Sequence, residues 1–138
     1  FGGNVKKRGI LISVNRIDME AQTQSIHSEG YCGIVPAVES TSLFTIGSDT
    51  RVGTESPVMS QIVENIYSNG KFESKGKGDL TNEPVACVAS KSKKRCYVAC
   101  DDNVIRSYQL DSFDFDTVIH KTTQHINCLA INKDSTLL

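Results

Sequence analysis

The 138-residue sequence contains no tryptophan, so any strand that closes on an aromatic side chain must use Tyr or Phe. It also lacks an excess of either charge. Fifteen Lys and Arg face 16 Asp and Glu, for a net charge of −1, which removes a global electrostatic pull toward nucleic acid or an acidic membrane. Long apolar runs are missing. The stretch "GILISV" (9–14) is far shorter than the roughly 20 residues of a membrane-spanning helix, and no secretory leader pattern is visible. The short motifs of common catalytic centres are absent too. There is no GxSxG, HExxH or P-loop, and the Gly-rich "KGKGD" (75–79) lacks the Lys-Ser/Thr ending that holds a nucleotide phosphate. The five cysteines are an odd number, and no CxxC or HxxxH pair completes four metal ligands around Cys96 and Cys100. They read as small apolar side chains in a reducing compartment, with no metal and no cofactor expected. At 38% hydrophobic and 22% charged residues the composition suits a packed domain. The start at Phe1 and the ending "STLL" lead us to expect an excerpt of a longer protein.

What is present is alternation. In "PVACVASKSKKRCYVACDDNVIRSYQL" (84–110) apolar residues recur at every second position, break at a basic turn, resume, and break again at Asp101-Asp102-Asn103. This pattern predicts three antiparallel strands at 85–90, 96–101 and 104–109. Asn103 tolerates the positive φ of a tight turn. The unit recurs. Val85–Ala89 aligns with Ile126–Ala130, and "SLFTIGSD" (42–49) aligns with "RCYVACDD" (95–102). Copies begin near residues 30, 83 and 124. A four-stranded sheet that is apolar on both faces needs neighbours to cover it. The expected fold is therefore all-β: an incomplete propeller over 27–138, with two blades and the start of a third, preceded by a strand-bearing extension over 1–26 whose centre lies at Ile10–Val14. The remaining blades would come from the same chain.

Two stretches fit less neatly. "SPVMSQIVENIYSNG" (56–70) has Ser56 at an N-cap position, Pro57 in the first turn and Gly70 as a stop, with an i, i+4 apolar stripe. A short helix at 57–69 and an outer strand of the first blade are both open. "SKGKGDLTNE" (74–83) reads as a loop.

The run Asp102-Asn103-Val104-Ile105-Arg106-Ser107-Tyr108 resembles a WD repeat, with Tyr108 where that family usually has Trp and Asn103 where Gly is common. The first copy has Glu55 instead of the aromatic. His27-Ser28-Glu29-Gly30, Gly47-Ser48-Asp49 and "KTTQHINCLAINKDSTLL" (121–138) further resemble the amino-terminal propeller of the replisome-adaptor family. That family includes the acidic nucleoplasmic DNA-binding protein and the yeast chromosome-transmission-fidelity protein. The resemblance covers about 27–138, and 56–82 departs from it. It implies a non-enzymatic, nuclear protein-interaction scaffold that links the replicative helicase to DNA polymerase alpha. The alternatives are an unrelated WD-repeat scaffold of a cytosolic complex and a module that touches nucleic acid.

Candidate residues follow. His27 and His125 stand at blade entries, and Asp49 and Asp102 at tight turns; a His27–Asp49 contact is expected, against a solvated surface histidine. Tyr108 closes a strand. Lys91, Lys93, Lys94 and Arg95 are the candidate nucleic-acid contacts, though no interleaved aromatics accompany them, and a solvated hairpin tip explains the same charges. No catalytic residue is assigned.

Overall fold

The computed structural model describes residues 9–14, 21–27, 30–36, 42–50, 58–90, 92 and 94–136. Among these the regular structure is entirely β. Strands β1 (Gly9–Val14) and β2 (Ala21–His27) form an antiparallel pair. Strands β3 (Gly30–Pro36), β4 (Ser42–Thr50), β5 (Val58–Ser68) and β6 (Lys71–Asp79) form a four-stranded antiparallel sheet in chain order, here sheet I. Strands β7 (Pro84–Ser90), β8 (Arg95–Cys100), β9 (Val104–Gln109) and β10 (Phe115–Lys121) repeat that meander as sheet II.

The two sheets pack face to face where β3 and β4 meet β7. Alternation decides what they bury. Val35, Phe44, Ile46 and Ile62 from sheet I join Cys96, Val98, Cys100 and Tyr108 from sheet II in one core. Register makes this possible: Ile46 lies opposite Ile62 on neighbouring strands, and Phe44 opposite Val35, so their side chains project to the same side. The other face of sheet I meets the β1–β2 pair. The result is three stacked layers.

The strands expected at 85–90, 96–101 and 104–109 appear as β7, β8 and β9, and Asn103 adopts φ 61° in the turn between β8 and β9. The helix at 57–69 does not form. That segment is β5, hydrogen-bonded to β4 on one side and β6 on the other. An i, i+4 stripe is shared by both structures, because four residues are also two full periods of a strand. The deciding signal is Asn69-Gly70: both have positive φ, 51° and 82°, as a two-residue hairpin turn requires. Gly70 thus turns a hairpin and does not stop a helix.

Residues 74–79, read as loop, belong to β6. Their glycines have a packing reason. A Cβ on Gly78 would lie 2.3 Å from Phe113 Cβ, and one on Gly76 would lie 3.0 Å from the Phe113 ring. Phe113, at φ 65° in the β9–β10 turn, lies across this strand and meets Phe44 edge-on at 6.2 Å between centroids. The β9–β10 turn of sheet II therefore closes over sheet I. Near the C-terminal end, residues 122–136 carry no strand. Ser90 Oγ donates to Ser135 Oγ at 2.7 Å and ties this segment to β7.

Candidate functional site

The last residue of β2 is His27, and its side chain is completely buried against β4. Its Nδ1 lies 3.1 Å from Asp49 Oδ2, and its Nε2 lies 3.0 Å from Thr45 Oγ1. Thr45 and Asp49 are four residues apart on one strand, so they share the face that meets β2. Asn65, directed to the same face from β5, donates from Nδ2 to Thr45 Oγ1 at 3.1 Å and to the Val63 carbonyl at 3.0 Å. An ionised Asp49 only accepts hydrogen bonds. Nδ1 therefore carries the proton, and a neutral ring leaves Nε2 to accept the Thr45 hydroxyl.

Carboxylate, imidazole and hydroxyl thus stand in the order of an orienting acid, a base and a nucleophile. Burial decides what they do. His27 and Thr45 are each 0% exposed, so no substrate carbonyl reaches the hydroxyl. The relay is a polar clamp between the β1–β2 layer and sheet I. The spacing of His27 and Asp49 was legible in the sequence, whereas Thr45 and Asn65 carried no signal of their own beyond alternation. On the opposite face of sheet I, Ser48 and Ser60 bond at 3.2 Å.

The second constellation surrounds the β8–β9 turn. Arg106 grips Asp102 with both guanidinium nitrogens, at 2.8 Å and 2.5 Å. The Val104 amide donates to Asp102 Oδ1 at 3.3 Å. Chiefly through the Arg106 hydrogen bond, the Asp102 carboxyl is held below its ordinary range, and Arg106 is held more firmly protonated. Arg106 also reaches Cys100. Tyr108, buried beneath this turn's strand, bonds through its hydroxyl to Thr81 Oγ1 at 3.2 Å and meets Phe115 edge-on. It packs as the closing aromatic of the sheet.

The structure does not bring the remaining candidates together. His125 is exposed on the irregular 122–136 segment, outside any strand. Lys91 and Lys93 lie outside the described residues. Lys94 points to water, its side chain 59% exposed, and pairs with Asp111 at 3.3 Å. Arg95 pairs with Asp116 at 3.2 Å. These two cations are thus already faced by the acids of the "DSFDFD" hairpin. The four cysteines Cys32, Cys87, Cys96 and Cys100 approach the core, but among the described residues no group of three or more His, Cys, Asp or Glu could hold a metal ion.

No family model matches the chain. No curated protein matches it in sequence. Among solved structures it superposes on a crystal structure from Bacteroides fragilis described as a "putative 6-phosphogluconolactonase", with a TM-score of 0.57 and 18% identity. The chain shares that protein's fold. The match takes in 89% of this chain but 36% of the other, so this chain spans about a third of its length.

This likeness corrects the sequence-based identification. The chain is not placed among WD-repeat propellers or with the replisome adaptors, and the expectations of a non-catalytic scaffold, a role in DNA replication and the absence of enzymatic activity fall with that placement. Neither the cytosolic WD-repeat scaffold nor the nucleic-acid module gains support in its place. The physical reason lies in what the motif residues do. Asp49, expected at a tight turn, lies within β4, where the buried His27 tied to it fastens the β1–β2 pair to sheet I, while Asp102 braces the β8–β9 turn through Arg106. These contacts report how layers and turns are held, and not which protein uses them.

Proposed function

We propose that sheets I and II are consecutive blades of a larger propeller-like ring, and that the ring is a hydrolase acting on a phosphorylated sugar lactone. The single observation that carries this reading is the shared backbone over 89% of the chain with a protein described as a lactonase. The stacking supports the blade assignment. Each sheet is a four-stranded meander in chain order, and the two pack face to face as neighbouring blades do. On β10, Phe115, Val118 and Ile119 are exposed, Phe115 to 52%, where a further sheet would pack.

Opening a lactone requires water to add to the ester carbonyl and the ring C–O bond to break, with a base to take the proton and donors to hold the oxyanion. The His27 relay is closed to solvent, so in this reading it fastens the β1–β2 layer to sheet I and does not touch the substrate. Catalytic contacts would come from blade ends and from blades beyond this chain.

The test is a constant-pH titration of acid released from 6-phosphogluconolactone by the full-length protein. Turnover above the spontaneous rate supports the reading. A rate equal to buffer alone, from protein that retains its β circular dichroism, overturns it.

A further inference from the structure

Sheets I and II meet along β3 and β7, and each strand brings a cysteine to the joint. The register of β3 slips between Tyr31 and Gly33, so Cys32 is the extra residue of a bulge, which re-aims its side chain. Cys32 and Cys87 both pack against the shared core while remaining partly exposed. The fit there is close: a Cβ on Gly33 would stand 2.4 Å from Cys87 Sγ. Only glycine beside Cys32 lets the two strands approach this far. Within the joint the Cys32 thiol hydrogen-bonds to Cys87 sulfur.

We propose that Cys32 and Cys87 are an oxidative modification site, a dithiol that hydrogen peroxide converts to a reversible disulfide between the two sheets. Cys87 is the attacking sulfur. The hydrogen bond from Cys32 favours its thiolate, outweighing burial, while the same bond and burial hold the proton on Cys32. The Cys87 thiolate attacks one peroxide oxygen, an S–O bond forms, the O–O bond breaks and hydroxide leaves. The Cys32 sulfur then attacks Cys87 sulfur. The S–S bond forms, the S–O bond breaks, and the departing hydroxyl takes the Cys32 proton as water. Hydroxide from the first step takes up the proton that Cys87 gave. Each sulfur loses one electron, and the two peroxide oxygens gain two.

The other thiols are set apart by environment. Burial pushes the Cys96 and Cys100 thiols up and both are closed to solvent. Cys128 is exposed on a segment that brings no second thiol to it. The proposal is independent of lactone hydrolysis.

The experiment treats the full-length protein with hydrogen peroxide, blocks free thiols with iodoacetamide under denaturing conditions, and maps peptides by mass spectrometry. The expected product is a Cys32–Cys87 linked peptide pair, abolished by dithiothreitol, unchanged in C128S and missing in C87S and C32S. Three results would overturn the proposal: both cysteines alkylated as fully as in untreated protein, Cys87 converted to sulfinic acid without linkage, or disulfides formed only through Cys128. Should either Ser variant fail to fold, the wild-type map decides alone.

Discussion

Replacing Thr45 by valine keeps the shape of the side chain and removes one hydroxyl. In the structure that hydroxyl joins His27 Nε2 at 3.0 Å and Asn65 Nδ2 at 3.1 Å, and all three residues are fully buried. Thr45→Val therefore takes the hydroxyl away from an imidazole nitrogen and from one amide hydrogen in a dry interior. Each unsatisfied buried group costs about 1–3 kcal/mol, so the loss should be roughly 2–6 kcal/mol, a large part of the ~5–15 kcal/mol of a typical domain. Asn65 Oδ1 already finds no hydrogen-bond partner among the described residues, so this side chain has little slack to absorb a second orphan. Ile46→Val, which removes a methyl group from the core without stranding a polar atom, should cost only ~0.5–1.5 kcal/mol. Urea denaturation of the two variants makes the comparison. At a slope near 2 kcal/mol per molar, Thr45→Val should lower the midpoint by about 1–3 M and Ile46→Val by well under 1 M. Thr45→Ser, which keeps the hydroxyl, should fall close to Ile46→Val. Equal midpoints for Thr45→Val and Ile46→Val would refute the buried relay.

Other perturbations follow from the same contacts. Gly78→Ala forces a methyl group to within 2.3 Å of Phe113 Cβ, whereas Gly76→Ala meets only the ring edge at 3.0 Å; thermal melts should show the first costing about 1–3 kcal/mol and the second clearly less. Asp102→Asn weakens the pair with Arg106. Because the folded state holds the Asp102 carboxyl low, its stabilisation is complete above the ordinary aspartate pKa of about 4 and is lost as pH falls below it through the lowered folded value. The wild type should thus exceed Asp102→Asn in stability at pH 7 by up to ~1 kcal/mol, a modest figure because the side chain is about a third exposed. The gap should close by acid titration of the two melting curves. Serine at Lys91, Lys93, Lys94 and Arg95 together should change stability by no more than ~1 kcal/mol, since the two described cations make solvent-exposed or half-exposed pairs; a loss of several kcal/mol would show that the turn is part of the packing.

Sheet II was readable from the sequence because its strands alternate cleanly and its turns carry Lys or Asp-Asn. Cys96, Val98 and Cys100 fall at every second position of β8 and all reach the core. Sheet I was harder to read at β5. Gln61 and Asn65 interrupt the apolar pattern, yet both point inward, where Gln61 donates to Asp79 at 2.8 Å and Asn65 to Thr45. A buried polar residue defeats patterning, because the partner that satisfies it comes from another strand. β6 was obscured by glycines whose purpose, the passage of Phe113, depends on a turn more than thirty residues away in sequence. The His27–Asp49 contact could be anticipated from position alone. Its closure to solvent, which settles its chemistry, could not. The repeat near residue 124 is visible in the sequence, but Cys128 lies exposed on an irregular segment. A strand forms only when a neighbour completes its backbone ladder.

Sheets I and II pack face to face, with the β9–β10 turn folded over β6. Nuclear Overhauser contacts in protein carrying protonated Phe and Gly in an otherwise deuterated background test this most directly. Cross-peaks from the Phe113 ring to the Phe44 ring, with centroids 6.2 Å apart, and to the Gly76 and Gly78 α-protons are predicted. Contacts confined to residues of the same sheet, with none joining Phe113 to Phe44 or β6, would contradict it.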